Sequence, residues 1–171
     1  MTENDGPTDH QRPTGRDRLT HVDARGTARM VDVADKDVTV RSARATGRLV
    51  TTPQVVALLR GEGVPKGDAL AVARIAGIQA AKRTPDLVPL CHPIAIHGVS
   101  VELEVVDDGV TIDARVRTAD RTGVEMEALT CVAAAGLTLV DMVKAVDRGA
   151  YLTDLRVEEK SGGRSGTWTR E

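Results

Sequence analysis

Aromatic residues are almost absent from this chain of 171 residues, which contains one Trp, one Tyr and no Phe. Proteins that bind single-stranded nucleic acid stack the bases on aromatic side chains, so this class is all but excluded. The formal net charge of -2 leaves no overall basic field for a nucleic-acid backbone. The two cysteines, Cys91 and Cys131, make no disulfide framework, and we expect a cytoplasmic location.

Long hydrophobic runs are also missing. The longest apolar-leaning run begins at Cys131 and has ten residues. A membrane-spanning helix needs roughly 20. The first 18 residues are polar, with acids and prolines, and do not have the composition of a secretory signal. We therefore expect neither a membrane span nor a membrane anchor.

Composition divides the chain into three segments. Residues 1–18 are polar and predict a disordered N-terminal extension. Residues 19–158 have the apolar content of a single folded domain, and residues 159–171 predict a flexible tail rich in Gly and Ser.

The local patterns predict an α+β fold. Alternating apolar residues over 98–118, interrupted by Asp107, Asp108 and Gly109, predict an antiparallel hairpin. Irregular structure is expected over the proline-bearing residues 85–93. The other elements are one or two short strands over 38–52, a short helix from 53 to 61, a helix from 65 to before 85, a long helix over 122–147 and a last strand over 151–157. This order is typical of a ferredoxin-like antiparallel sheet with helices on one face.

Lysine is used sparingly, since 18 of the 23 basic residues are Arg. Lys differs from Arg in offering a compact amine whose pKa falls readily on burial. The remaining lysines are therefore candidates for chemical roles: Lys36, Lys66, Lys82, Lys144 and Lys160.

The long helix contains most of the candidate acid and base groups. Thr122 and Glu125 have the spacing of a capping box, so Glu125 could simply close the helix start. Glu127 lies in the first turn, where the helix dipole favours an acid in any case. Asp141 and Lys144, three residues apart, share one face. They are either a solvated ion pair of little consequence or a partly buried acid/base unit.

The length of this helix separates its two groups of candidates. Glu127 and Asp141 face within about 40° of each other but lie about 21 Å apart along a straight helix. One small reacting centre cannot contact both. Either the helix breaks, for instance near Gly136, or a second subunit completes the site.

Other candidates have equally plain structural explanations. Lys66, after Pro65, could bind phosphate at a helix start or simply be exposed. Lys82 complements a helix C-terminus, and Lys160 belongs to the flexible tail unless it wraps an anion. His92 lies between two prolines, either as a fixed donor or as a buried loop histidine. The spacing of Cys91, His92 and His97 matches no usual zinc motif, so no metal site is predicted.

Four strings together identify a family. They are MVDV from Met30, the segment Lys66–Pro93, TGVEMEALT from Thr122 and DMVKAV from Asp141. Over about residues 19–166 the chain resembles the molybdenum cofactor biosynthesis protein C family, the cyclic pyranopterin monophosphate synthases. Members rearrange 3′,8-cyclo-7,8-dihydro-GTP, which a radical-SAM partner enzyme makes, into cyclic pyranopterin monophosphate and pyrophosphate. The resemblance implies a catalytic ferredoxin-like domain, a homohexamer of three dimers and active sites at the dimer interface.

The resemblance also implies residue roles. The essential lysines fall on Lys66 and Lys144 and the essential aspartate on Asp141. Arg164 stands where the family commonly has Lys, which keeps the charge but not an amine able to act as an acid or base. The residues implied in substrate binding are Leu90, Cys91, His92, Glu125, Met126 and Glu127, with Arg41, Arg44, Lys82 and Lys160 around the triphosphate.

No cofactor held by protein ligands is implied, although Mg²⁺ is expected to accompany a triphosphate. Substrate would partly order the tail. Two other classes stay open at this stage: a purine-nucleotide-binding ferredoxin-like module without turnover, and a scaffold for the partner enzyme. The concentration of the few lysines at the motifs argues against both.

Overall fold

The structure is a computed structural model, and it describes residues 19–62 and 68–171, apart from the side chain of Glu62. The described residues fall into two units, residues 19–31 and Asp32–Glu171. Within residues 19–31 of the first unit, Val22 and Ala28 form an isolated antiparallel bridge.

The second unit is built on one five-stranded antiparallel sheet with the strand order β2-β3-β1-β4-β5. The first four strands have the order and the β-α-β-β-α-β connections of the ferredoxin-like arrangement. The predicted α+β class and antiparallel sheet are confirmed. The elements in chain order are β1 (Thr39–Val50), α1 (Pro53–Ala57), a π-helical turn (Leu58–Glu62), α2 (Ala69–Ala81), α3 (Thr84–Leu87), β2 (Gly98–Val106), β3 (Gly109–Asp120), α4 (Glu125–Val143), β4 (Tyr151–Ser161) and β5 (Trp168–Thr169).

Strand alternation gives the sheet one apolar and one charged face. In β1, Ala43, Ala45 and Leu49 are buried beneath the helices, whereas Arg44 and Arg48 lie on the opposite face. The core consists of small and branched aliphatic residues, as the lack of aromatic residues requires.

Helix α4 packs on β1, β3, β4 and α2, and it runs unbroken for 19 residues. By length and composition it could cross a membrane, but half of that window is buried inside the protein. It is the central core helix. Close packing depends on glycines, because a Cβ at Gly136 would lie 2.8 Å from the Leu152 side chain and one at Gly77 would lie 3.0 Å from the Cys131 carbonyl oxygen.

Several element ends differ from the predicted ones. Helix α2 begins at Ala69, where Asp68 caps it by accepting the Ala71 N–H, rather than at Pro65. The residue that caps α4 is Val124, without a side-chain hydrogen bond, so the capping-box prediction is wrong. A short helix, α3, begins at Thr84 and covers the first three residues of the segment 85–93, for which irregular structure is expected.

The last strand differs most from the prediction. Strand β4 extends to Ser161 because its end pairs with β1 on one side and with β5 on the other. Strand residues therefore occupy part of residues 159–171, for which the sequence predicts only a flexible tail.

Candidate active site

The N-terminal end of α4 carries a buried carboxyl group. Glu127 is 4% exposed in the first turn of the helix. Burial raises its pKa from the ordinary 4.5 to about 7, because the loss of water outweighs the hydrogen bond from its own backbone N–H, and the nearby charge of Glu125 adds to the rise. A carboxyl group with this pKa can accept or donate a proton near neutral pH.

The loop that contains Leu90, Cys91 and His92 lies beside this carboxyl group. The Cys91 N–H donates to the Val88 carbonyl at 3.0 Å, which closes a turn after α3. Burial, and next the charge of Glu127, raise the pKa of the Cys91 thiol. These shifts favour the neutral thiol, so they give no support to a nucleophilic thiolate.

Glu127 also lines a small pocket of about 180 Å³ between the end of α2, α3 and the start of α4. Two cationic residues, Lys82 and Arg83, and one acid, Asp86, line the same pocket. Lys82 is the C-cap of α2 and is exposed. The pocket therefore combines a titratable carboxyl group with cations that suit a phosphate group.

Lys160 approaches the same end of α4 from the sheet. Its Nζ lies 3.5 Å from Glu125 Oε1 and donates to Ser165 Oγ at 2.6 Å. The Glu125 carboxylate folds back over Gly123, where any Cβ would overlap it. Glu125 therefore pairs with Lys160 instead of capping the helix.

Arg41 adds a further cation near Lys160. Its Nε donates to the Asp120 carbonyl at 2.9 Å, and its guanidinium lies against Gly163, where a Cβ would overlap it. Gly163 has a φ of +70°, which only glycine adopts readily. Met126, which is 38% exposed, lies in the same first turn of α4.

The opposite end of α4 carries the aspartate–lysine pair. Lys144 Nζ lies 2.6 Å from Asp141 Oδ1, and the two side chains are 58% and 56% exposed. The pair therefore forms as predicted but is not partly buried within one chain. Leu137, one turn before Asp141, is 65% exposed on the same side of the helix.

The two ends do not meet in one chain. Because α4 is unbroken from Glu125 to Val143, the alternative of a break near Gly136 is excluded, and about 21 Å of helix separates Glu127 from Asp141.

One further candidate among the described residues lies elsewhere. Arg44 is on the charged face of the sheet, where its Nε donates to Asp113 Oδ2 at 2.7 Å, and this bond is the main cause that raises its pKa. Its place around a triphosphate stays a prediction. Lys66 lies outside the described residues.

Sequence reasoning missed Ser165 as the partner of Lys160 and Asp86 as a pocket residue. The string KSGGRSG, which suggested an anion-wrapping loop, was the available signal for Ser165. Over residues 19–62 and 68–171, no group of three His, Cys, Asp or Glu side chains could hold a metal ion.

The geometry defines a class of protein: a ferredoxin-like α+β domain with an acid/base group and a cluster of cations at one end of its core helix. The MoaC family model matches residues 30–163, so the chain belongs to the MoaC family. A relative from Streptomyces coelicolor, named cyclic pyranopterin monophosphate synthase, is 68% identical over 164 residues, covering 93% of this chain and 96% of the relative. A Mycobacterium tuberculosis protein named cyclic pyranopterin monophosphate synthase 2 is 60% identical, covering 89% and 91%.

Proposed function

We propose that this protein is a cyclic pyranopterin monophosphate synthase of molybdenum cofactor biosynthesis, acting in the cytoplasm. The observation that carries this proposal is the cluster at the start of α4, where Glu127, with a pKa of about 7, lies in a pocket beside Lys82. The family and the names of the relatives support the same activity. The substrate would be 3′,8-cyclo-7,8-dihydro-GTP, supplied by a radical-SAM enzyme.

The proposed reaction is that of a lyase that releases pyrophosphate. The purine-derived ring opens and closes again as a pyranopterin, which requires protons to move between ring nitrogens and carbons. The 3′ oxygen then attacks the innermost phosphorus, its proton passes to a base, and the bond to the bridging oxygen breaks as pyrophosphate leaves. This last step closes the cyclic phosphate.

The cations suit the triphosphate part of this substrate. Arg41, Lys82 and Lys160 approach the N-terminus of α4, where backbone N–H groups and the helix dipole also favour anions. Lys66 would add another charge, and Mg²⁺ would accompany the phosphates. Negative charge that develops as pyrophosphate leaves would be stabilised by the same groups.

Proton transfer would use Asp141 and Lys144 together with Glu127. The contact of 2.6 Å between Asp141 and Lys144 supports a role for the aspartate in orienting the amine. Since α4 separates these groups, we propose that the site is shared between subunits, in a homohexamer built from three dimers. The exposed Leu137 beside the pair is consistent with a surface that a second copy covers.

The direct test is to incubate the purified protein with the cyclised GTP intermediate and to measure pyranopterin and pyrophosphate. Asp141→Asn is expected to abolish turnover while the intermediate still binds. Lys66→Ala should also lose product formation. Lys36→Ala is the matched control, because Lys36 is the one lysine outside the proposed site. Tight binding without product from the wild-type protein would instead indicate a nucleotide-binding module.

Mixing two inactive variants tests the shared site. Glu127→Gln and Asp141→Asn alter opposite ends of α4, so a mixed dimer has one site with both changes and one intact site. Random reassembly makes half of the dimers mixed and should restore roughly a quarter of wild-type activity. No recovery, with mixed dimers demonstrated by mass spectrometry, would contradict the shared site.

A further inference from the structure

Strand β5 lies beyond the residues matched by the MoaC family model, and it pairs with β4 at Lys160. Trp168 lies opposite Lys160 on this side, and Ala43 of β1 lies opposite Lys160 on the other. The backbone of Lys160 is therefore held from both sides. Without β5, this part of β4 would be a free sheet edge.

Arg170, which directly follows β5, fastens that strand to β4. Its backbone N–H donates to the Glu158 carbonyl at 2.8 Å, and its Nε donates to the Val157 carbonyl at 2.9 Å. The Nε also lies 3.6 Å from Glu158 Oε2, and the guanidinium lies 5.5 Å from the centre of the Trp168 ring. One residue thus makes three contacts to β4 and one to Trp168 of β5, a strand of only two residues.

The carboxylate of Glu158 is itself anchored to the sheet. It accepts hydrogen bonds from Arg156 Nε at 2.8 Å and from Thr46 Oγ1 at 2.7 Å. These two bonds are the main causes that lower the pKa of Glu158, which therefore stays ionised at neutral pH. Through Glu158, Arg170 is tied to the central strand β1.

The loop between β4 and β5 carries the groups that touch the cationic side chains. Ser165 accepts the hydrogen bond of Lys160, and Gly163 lies against Arg41. The Gly166 N–H donates to the Gly163 carbonyl at 3.2 Å, which forms a turn inside the loop. Because β4 and β5 hold the two ends of this loop, the docking of β5 determines where Ser165 lies.

We propose that Arg170 is a positioning residue, which holds β5 against β4 so that the Lys160 amine is fixed between Glu125 and Ser165. This inference rests on the proposed function, in which Lys160 binds the triphosphate. Arg170 itself acts through β5 and Glu158 and does not touch the substrate.

The test is the substitution Arg170→Gln in the full-length protein, assayed with the cyclised GTP intermediate. We expect kcat/KM to fall about tenfold, through a rise in KM. The reason is that the contact between the Lys160 amine and the phosphates is weakened already in the ground state. Arg60→Gln is the matched control, since Arg60 also contacts a carboxylate, Asp107, and a backbone carbonyl, that of Val105. It should leave kcat/KM unchanged.

Two readouts separate positioning from a general loss of stability. In a Lys160→Ala background, Arg170→Gln should cause no further loss, because both changes remove the same interaction. Trp168 is the only tryptophan of the chain, so its fluorescence reports the docking of β5 directly. Arg170→Gln should shift its emission to longer wavelength at a temperature where circular dichroism shows an intact fold.

The outcomes are distinct. Unchanged kcat/KM in Arg170→Gln, or losses that multiply in the double variant, would overturn the positioning role while leaving the synthase proposal intact. Absence of product from the wild-type protein would refute the proposed function itself. If Arg170→Gln does not fold, Arg170→Lys is the second variant. It keeps the charge beside Glu158 but loses the Nε bond to Val157, and an intermediate rise in KM is expected.

Discussion

Neutralising Glu127 should change how the stability of the protein depends on pH. The side chain is 4% exposed, and burial raises its native pKa to about 7, against an ordinary 4.5. Glu127→Gln replaces it with a neutral group of similar shape. The variant therefore resembles the protein with a protonated Glu127 at every pH, because the amide does not titrate.

The sign follows from proton linkage. Between the unfolded and native pKa values the native state binds the proton more tightly, so wild-type stability falls as the pH rises from about 4.5 to about 7. A difference of 2 to 3 pKa units corresponds to about 3 kcal/mol. The free energy of unfolding of Glu127→Gln should therefore exceed that of the wild-type protein by about 1 kcal/mol at pH 5 and by about 3 kcal/mol at pH 8.

The measurement is urea unfolding of both proteins at pH 5 and pH 8, at one protein concentration so that any association contributes equally. Glu102→Gln, at an exposed position in β2, is the control and should follow the wild-type curve. A difference between wild type and Glu127→Gln that is the same at both pH values would refute the argument that desolvation controls this carboxyl group.

Two further predictions concern stability. Gly109→Ala should lower the free energy of unfolding by about 2 kcal/mol or more, because the added Cβ would overlap the Leu49 carbonyl oxygen. Gly61→Ala is the control and should leave the free energy of unfolding unchanged, because a Cβ there meets no atom within 4 Å. Equal urea midpoints for Gly109→Ala and Gly61→Ala would contradict the predicted overlap. Asp147→Asn should lower Tm at pH 7, because the carboxylate accepts bonds from Thr51 Oγ1 and the Gly149 N–H. These bonds lower its native pKa below the ordinary 3.8, so the Tm difference should begin to shrink as the pH falls below 3.8 and should be lost only below the lowered native pKa. A Tm difference that does not shrink on acidification would count against this cause.

The fold was largely predictable because the strands and helices have clear periodicity. The hairpin of β2 and β3 alternates cleanly around its turn, and the long run of apolar positions in α4 predicts a core helix. The end of β4 and all of β5 were not predictable in this way. Trp168 and Thr169 are too few to show a period, and they form a strand only because the edge of β4 is available for pairing.

The sequence predicts which residue types form the candidate site, but it does not predict how far each side chain is buried. Sequence spacing places Asp141 and Lys144 on one face, and their contact is observed. The exposure of this pair and the burial of Glu127 depend on which face of α4 meets the sheet, which no local pattern determines. Arg44 illustrates the same difficulty, since its partner Asp113 comes from β3, 69 residues away.

The polarity of α4 gives a physical reason for sharing a site between two copies. Its N-terminus favours anions and lies among Arg41, Lys82 and Lys160, whereas its C-cap is Lys144, whose positive charge the dipole stabilises. In the proposed shared site, a two-fold axis across the helix would bring the anion-favouring end of one copy beside the Asp141–Lys144 pair of the other. Each end can then have the electrostatic environment that its role requires. One end of a helix could not supply both environments, because the N-terminus favours anions and the C-terminus favours cations.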